Sequence, residues 1–186
     1  VRARIGAAAD DVVVGTVAVF RPAKRLDLWL DAAAALRRRL PRARFVIVGW
    51  GPLEPNVRRW VHERGLDDVV FLAGLQSDVA PWLQAMDVYL MSSDWEGLPV
   101  ALLEARASGL PAVVTDVGGV GEVVDGAVGA LVAAGDVDAL VEALVDVVDV
   151  ADDKGAAARR RVVDRFGIAR MRAELASVYA RALGAS

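Results

Sequence analysis

The segment VVVGTVAVFRPAKRLDLWLDAAAALRRRL, residues 12–40, decides the fold because its periodicity changes halfway along. Val12–Val19 is an uncharged, β-branched run of the kind that forms a strand buried on both faces of a parallel sheet. Leu26–Leu40 spaces its apolar residues as a helix does and ends in three arginines, which complement the helix dipole, before Pro41 stops it. The segment therefore predicts the opening half of a βαβ unit.

The alternation of strand and helix continues along the chain as far as Gly135. Further strands are predicted at Arg44–Val48, Val69–Ala73, Asp87–Met91, Pro111–Thr115 and Val128–Val132. Helices are predicted at Pro52–Arg64, Ser77–Met86, Pro99–Ser108 and, as a short piece, Val120–Val124. After Gly135 the pattern is helical only, at Asp136–Val150, Lys154–Arg165 and Ile168–Leu183.

This order of elements implies right-handed crossovers and a parallel sheet. The predicted fold class is a doubly wound, Rossmann-like α/β domain with a mostly parallel sheet of six strands. Helices are expected on both faces of the sheet, with additional helices at the C-terminus. In such domains ligands bind at the carboxyl ends of the strands, so the loops that follow strands are the places to search for a site.

Composition narrows the class of function. The 186 residues include 22 basic and 25 acidic side chains, so the basic excess of a nucleic-acid binder is missing. Cysteine is absent and His62 is the single histidine, which argues against disulfides, thiolate metal sites and histidine-based metal cages. Gly126–Gly135, the longest stretch free of charged residues and histidine, is about half of what a membrane-spanning helix needs. We therefore expect a soluble cytoplasmic domain without metal, compatible at most with peripheral membrane contact.

Two of the loops that follow strands contain candidate ligand-binding residues. One could bind a phosphate, and the other could let the backbone approach a ligand closely. Phe20–Arg25 leads into a helix and carries Arg21 and Lys24, which favours phosphate binding, with a solvated basic turn as the alternative. The turn Gly49-Trp50-Gly51-Pro52 permits close backbone approach to a ligand. Glu54 stands where a dinucleotide fingerprint needs a third glycine, and a tight strand-to-helix turn explains the glycines equally well.

The loop after the fourth predicted strand carries two carboxylates. Glu96 precedes the helix that Pro99 begins and so lies at its positive end, whereas Glu104 lies inside that helix among apolar residues. The helical part between them rises by roughly 7–8 Å, so we expect them to contact different parts of one elongated ligand and not to form an acid dyad. The alternative is an ordinary surface glutamate together with a helix-dipole glutamate.

The segment EGLPVALLEARASGLPAVVTDVGGVGEVV, residues 96–124, resembles the signature of family 4 glycosyltransferases, also called glycosyl transferases group 1. The signature is a pair of glutamates eight positions apart, then a small-residue–Gly–hydrophobic–Pro segment, a strand, and Gly-Gly with a downstream Glu. Three more segments match the family in the same order: FRPAKRLDLWLDA (20–32), FVIVGWGP (45–52) and VVFLAGLQSDVAPWLQAMDVYLMSS (69–93). The resemblance covers nearly the whole chain from about Gly15 onward.

The resemblance implies a retaining, metal-independent glycosyltransferase of GT-B fold, in which two Rossmann-like domains face each other across a cleft. Residues 1–186 would form the C-terminal domain, which binds a nucleotide-diphosphate sugar with UDP or GDP as its nucleotide. The acceptor, a glycan, a lipid or a small molecule, would bind mainly to an N-terminal domain outside this chain. No other cofactor is implied, and the domain by itself is expected to be inactive.

The same resemblance assigns roles to individual residues. Glu96 would be the catalytic residue beside the donor sugar, Lys24 would neutralise the diphosphate, and Glu104 would accept hydrogen bonds from the ribose. The main chain near Leu75 would meet the base. The full set implied to bind the donor is Arg21, Lys24, Gly51, Leu75, Gly97, Leu98, Leu103 and Glu104.

The chain departs from the family at one position. The family usually has an arginine five positions before the lysine, and Val19 stands there, so Arg21 in the same loop is the candidate to replace it. This departure keeps open a domain that binds a nucleotide sugar without transferring it. A nucleotide-sugar epimerase of related GT-B fold is the third alternative.

Overall fold

The computed structural model describes residues 1–126, 128–148 and 151–184, and it contains one six-stranded sheet. The strands are β1 Val12–Val19, β2 Ala43–Trp50, β3 Val70–Gly74, β4 Val88–Met91, β5 Ala112–Thr115 and β6 Gly129–Val132. Their order is β3-β2-β1-β4-β5-β6, and every neighbouring pair is parallel. The predicted doubly wound parallel sheet is therefore confirmed.

Helices connect and flank the strands. They are α1 Arg2–Ile5, α2 Leu26–Arg39, α3 Glu54–Glu63, α4 Ala80–Leu83, α5 Val100–Ala107, α6 Val137–Val148, α7 Ala151–Phe166 and α8 Ile168–Ala182. Single 3₁₀ turns occupy Pro22–Lys24 and Val120–Glu122. No helix within the described ranges is both long and apolar enough to cross a membrane.

One helix prediction needs correction, and one helix was not predicted. The predicted helix Ser77–Met86 shrinks to the single turn of α4. The Asp78 carboxylate accepts the Ala80 N–H at 3.0 Å and fixes a late start, and after Leu83 the chain continues as turns, with Ala85 and Met86 bonded to carbonyls three residues earlier. Helix α1 has no periodic signal in the sequence. It is held from outside, since the Arg2 guanidinium contacts the Asp87 carboxylate at 3.0 Å.

Helix α6 begins where the sequence predicts it. The Asp136 carboxylate accepts the N–H of Ala139 at 2.9 Å, which is the hydrogen bond of an N-cap. The helix is described as far as Val148, and the last two positions of its predicted range lie outside the described residues.

Apolar side chains fill both faces of the sheet. One face packs Val12 and Val14 of β1 against residues of α2 and α6, and Val13 points to the opposite face, where α5 packs. Trp29 of α2 is fully buried and donates its indole N–H to the Leu90 carbonyl at 3.0 Å. Strands covered on both sides explain why β1 is a continuous apolar run in the sequence.

The strand order reverses between β1 and β4. β2 and β3 follow on one side of β1, whereas β4, β5 and β6 lie on the other. Connections leaving β1 and β4 diverge at this point, so a crevice opens at the carboxyl ends of these two strands. The loops that line it are those containing Lys24 and Glu96.

Candidate functional site

Two loops meet at this crevice, the β1 loop (Phe20–Arg25) and the β4 loop (Ser92–Leu98). The Asp94 N–H donates to the Ala23 carbonyl at 2.9 Å. The hydroxyl at the start of the β4 loop donates to the carbonyl of the last residue of the β1 loop, also at 2.9 Å. Because both bonds involve the main chain, the relative position of the two loops is fixed independently of most of their side chains.

Lys24 and Glu96 form an ion pair between the two loops. The Lys24 Nζ lies 2.5 Å from the Glu96 Oε1, and the Ser93 hydroxyl donates to the same oxygen at 2.7 Å. The Glu96 side chain is 8% exposed, and the cation and the hydroxyl donor satisfy a carboxylate that is largely removed from water. Thr115 at the end of β5 donates to the Ser93 carbonyl at 2.6 Å and holds this serine in place.

The glycine turn (Gly118-Gly119) after β5 packs directly against the β4 loop. Gly118 has φ 54, and a Cβ there would lie 1.8 Å from the Glu96 carbonyl oxygen. The Gly119 N–H donates to the Gly97 carbonyl at 2.9 Å. The glycines thus allow the protein's own backbone to support the chain on either side of the Glu96 side chain.

The glycines after β2 have a similar use. A Cβ on Gly49 would lie 1.9 Å from the Ala18 carbonyl oxygen, and one on Gly51 would lie 2.6 Å from the Phe20 nitrogen. The main chain of β2 therefore packs against the end of β1 and the start of the β1 loop. This packing explains both glycines, including the predicted donor contact Gly51, in structural terms.

Glu104 lies apart from the ion pair, on the exposed surface of α5. Both Glu96 and Glu104 act on the buried Tyr89, whose hydroxyl donates to the Val17 carbonyl at 3.2 Å. Burial raises the pKa of Tyr89 to about 12, and the charges of the two glutamates contribute in the same direction. The two carboxylates therefore flank one phenol in different environments, one paired and buried, the other open to solvent.

The arginines of the β1 loop differ in their contacts. Arg25 bonds the carboxylates of Asp27 and Asp94, both at 3.0 Å, and these contacts raise its pKa. Arg21 is exposed, and its guanidinium has no hydrogen bond or ion pair with any residue the structure describes. Of the two, Arg21 is the cation available to an incoming anion.

The remaining predicted contacts surround the ion pair. Leu75 is 78% exposed just after β3, following Gly74 with φ 70. Gly97 and Leu98 are exposed in the β4 loop, and Leu98 lines a cavity of about 410 Å³ together with Leu103. In the described ranges, no three His, Cys, Asp or Glu side chains are grouped closely enough to hold a metal ion.

The structure brings into the site several residues that the sequence did not single out for a role there. Ser93 and Thr115 orient Glu96, and Asp94 joins the two loops. Ser93 could have been found as a hydroxyl three positions before the glutamate. The roles of Thr115 and Asp94 depend on which strands are neighbours in space, which no local pattern shows.

Known proteins resemble this chain in sequence. The sequence model of the glycosyl transferases group 1 family matches residues 11–149. The mannosyltransferase LpsB of lipopolysaccharide core biosynthesis from Rhizobium meliloti is 31% identical over 177 residues, 89% of this chain and 50% of that protein. A GDP-mannose-dependent phosphatidylinositol monomannoside mannosyltransferase from Mycolicibacterium smegmatis is 37% identical over 159 residues, 80% of this chain and 41% of that protein.

Solved structures give the same fold. HepE from Anabaena, in complex with UDP and glucose, superposes with a TM-score of 0.88 at 21% identity over 97% of this chain and 51% of that chain. The chain thus spans about half the length, or less, of the proteins it matches. From the family match and the parallel sheet together, we conclude that this chain belongs to glycosyl transferases group 1 and has the Rossmann-like domain fold of GT-B glycosyltransferases.

Proposed function

We propose that this domain binds the nucleotide-diphosphate sugar of a retaining, metal-independent glycosyltransferase, and that the longer protein transfers the sugar to an acceptor. The observation that carries the proposal is the ion pair of Lys24 with the buried Glu96 at the carboxyl ends of β1 and β4. In the proposal Lys24 would serve the phosphate and Glu96 the sugar, and the pair lies where doubly wound domains bind their ligands.

Lys24 is the residue that would meet the diphosphate. Its side chain is about a quarter exposed, so an anion arriving from solvent can reach the ammonium while Glu96 still holds it. The N-terminal end of α5 would add a positive dipole end, because Pro99 and Ala101 line the same crevice as Lys24. Arg21 is free to add a second cation from the β1 loop.

The same groups would act in the reaction. When the bond between the anomeric carbon and the diphosphate oxygen breaks, negative charge grows on the leaving diphosphate, and Lys24 stabilises it. Positive charge develops on the sugar ring, and Glu96, released from part of its pairing with Lys24, stabilises that charge. Ser93 keeps the Glu96 carboxylate oriented throughout, because it donates to it at 2.7 Å.

The rest of the donor would extend along the carboxyl edge of the sheet. The exposed Glu104 would accept hydrogen bonds from the ribose hydroxyls, and the main chain at Leu75 would meet the base. Gly97 and Leu98 would address the sugar, with Gly51 and Leu103 completing the surroundings. The likeness to HepE solved with UDP favours uridine, and the relative named as GDP-mannose-dependent favours guanosine, so both nucleotides belong in the test.

Calorimetric titration of the domain with UDP and with GDP, each with and without EDTA, tests the proposal. We expect one nucleotide to bind in both conditions, and Lys24→Ala and Glu104→Ala each to weaken it about tenfold through loss of a charged hydrogen bond. Glu63→Ala on α3 is the matched control, a half-exposed helical glutamate remote from the crevice, and should leave the affinity unchanged. Binding of neither nucleotide would overturn the donor-site assignment.

Transfer is expected to require the acceptor-binding half. The domain alone should release no nucleotide and elongate no acceptor when given a nucleotide sugar, whereas the longer protein should do both. Turnover by the 186-residue chain would show that the site is complete without a second domain. Binding by the longer protein without any turnover would favour the alternative of a nucleotide-sugar-binding domain.

A further inference from the structure

Arg25, the residue after Lys24, has a backbone conformation that arginine rarely adopts. Its φ is 44 and its ψ is 49, and it is the one residue other than glycine with positive φ among those the structure describes. Left-handed backbone at a residue with a Cβ is unfavourable, so it persists only where the surroundings impose it.

The Arg25 guanidinium contacts two carboxylates on either side of this strained residue. It bonds both oxygens of the Asp94 carboxylate, at 3.0 and 3.1 Å, and also the Asp27 carboxylate at 3.0 Å. Asp94 belongs to the β4 loop and Asp27 to the first turn of α2. Although partial burial raises the pKa of Asp27, the hydrogen bonds from Arg25 outweigh it and lower the pKa. One side chain therefore joins both loops to the start of a helix.

The Arg25 ion pairs act beside the hydrogen bonds that the Ser92 hydroxyl and the Asp94 N–H donate to main-chain carbonyls of the β1 loop. The Arg25 backbone sets how the β1 loop enters α2, and the Lys24 side chain departs one residue earlier to reach Glu96 at 2.5 Å. We propose that Arg25 is a positioning residue, whose ion pairs with Asp94 and Asp27 hold the Lys24 ammonium at Glu96 and, on the proposed function above, at the donor diphosphate.

A direct role of Arg25 in phosphate binding is the competing explanation. Its guanidinium faces two carboxylates, which would have to be displaced before an anion could replace them. Arg21 has no such partner among the described residues and is exposed. The β1 loop thus divides its charges, with Arg25 placing the loop and Lys24 and Arg21 left to meet a ligand.

A test without any ligand measures how fast an amine-acylating reagent modifies Lys24. Lys24 and Lys154 are the two lysines of the sequence, so peptide mass spectrometry resolves them. Asp94→Ala removes the Arg25 ion pair between the loops but leaves their main-chain hydrogen bonds, and Arg25→Gly also removes the backbone strain. Each should raise the rate at Lys24 about fivefold. Glu96→Gln should raise it as well, because it removes the partner directly.

The matched control is Asp68→Ala. Asp68 forms a bidentate ion pair with Arg37, at 2.6 and 2.8 Å, and lies away from the crevice. Its loss should leave the Lys24 rate unchanged, while both alanine variants should unfold at similar temperatures. If Asp94→Ala and Arg25→Gly react at Lys24 no faster than Asp68→Ala does, the positioning role is wrong, whatever the ligand of the domain is.

A double-mutant cycle on UDP and GDP affinity then tests whether the ion pairs of Arg25 affect ligand binding through Lys24. Asp94→Ala should weaken nucleotide binding about fivefold when Lys24 is present and have no effect in the Lys24→Ala background. Equal losses in both backgrounds would mean that Arg25 acts on the nucleotide by itself and would overturn the proposal. Absence of binding by the wild type would overturn the proposed function alone, since the acylation rates still decide the role of Arg25.

Discussion

The carboxyl edge of the sheet and the last helix, α8, use their residues in opposite ways. At the edge, the β1 loop, the β4 loop and the glycine turn touch through backbone, and they bury polar residues such as Ser93 and Thr115. Helix α8 has no buried residue, and its apolar side chains, including Met171 and Leu175, face solvent. The comparison teaches that close backbone packing fixes the geometry of the candidate site, whereas α8 contributes no buried side chain to the domain.

The largest loss of stability is expected from a substitution at Gly118, where the glycine turn packs most closely against the β4 loop. Gly118→Ala would place a Cβ 1.8 Å from the Glu96 carbonyl in a residue with φ 54, so the β4 loop must move or the domain unfold. We expect the free energy of unfolding in urea to fall by about 3 kcal/mol or more, and nucleotide binding to be lost.

Gly6→Ala is the matched control for this substitution. Gly6 also has positive φ, at 73, but nothing lies within 4 Å of the position of its Cβ. Its loss should therefore cost only the backbone term of about 1 kcal/mol and leave nucleotide binding intact. Equal costs at the two glycines would mean that close packing at the edge is unimportant and would break the comparison.

The sequence predicts the elements of the domain better than it predicts the contacts within the candidate site. The β1 run and the Leu26–Leu40 helix were predicted because their periodicity is local, and the structure confirms both nearly to the residue. The positions of Lys24 and Glu96 in strand-following loops came from the same alternation. Their pairing, however, depends on β1 and β4 being neighbours, a property of strand order that no local pattern encodes.

Two features of the structure were not predicted correctly, and each has a physical reason. The predicted helix Ser77–Met86 has the right spacing, but Asp78 accepts the N–H of Ala80 and delays the start of α4. The strained backbone of Arg25 could not be predicted from the sequence either. In the sequence, Arg25 looks like one more solvated cation after Lys24. Its partner Asp94 lies 69 positions away, and only the structure brings the two together.

A smaller but still large effect is expected at Arg106, which supports α5 from within. It is fully buried and donates to the carbonyls of Leu110 and Val128, and burial lowers its pKa to about 10. Arg106→Ala should lower the free energy of unfolding by about 3 kcal/mol, because it leaves a cavity and two carbonyls without a donor.

Arg106→Met separates the two causes. Methionine fills most of the space without donating, so it should recover the share of the loss that comes from the cavity. Arg172→Ala on α8 is the control, because Arg172 is exposed. Its removal should change the free energy of unfolding by less than about 0.5 kcal/mol, as is usual for surface sites, which is close to the error of a urea titration. A similar loss at both arginines would mean that the packed interior at the end of α5 contributes no more to stability than the exposed α8 does.

The smallest effect is expected on α8 itself. Met171→Gln and Leu175→Gln replace two exposed apolar side chains on a helix without buried residues, so the free energy of unfolding should change by at most about 0.5 kcal/mol. Leu144→Gln on α6 is the matched control, because Leu144 is fully buried and an unpartnered amide in its place should cost several times more. Nucleotide affinity should be unchanged in Leu175→Gln, because Leu175 belongs to none of the three loops and does not line the cavity of Leu98 and Leu103. Met171 lines that cavity, so its variant tests stability alone. A loss of stability at Met171 or Leu175 comparable to that at Leu144 would show that α8 is part of the domain's core, and the contrast with the carboxyl edge would no longer hold.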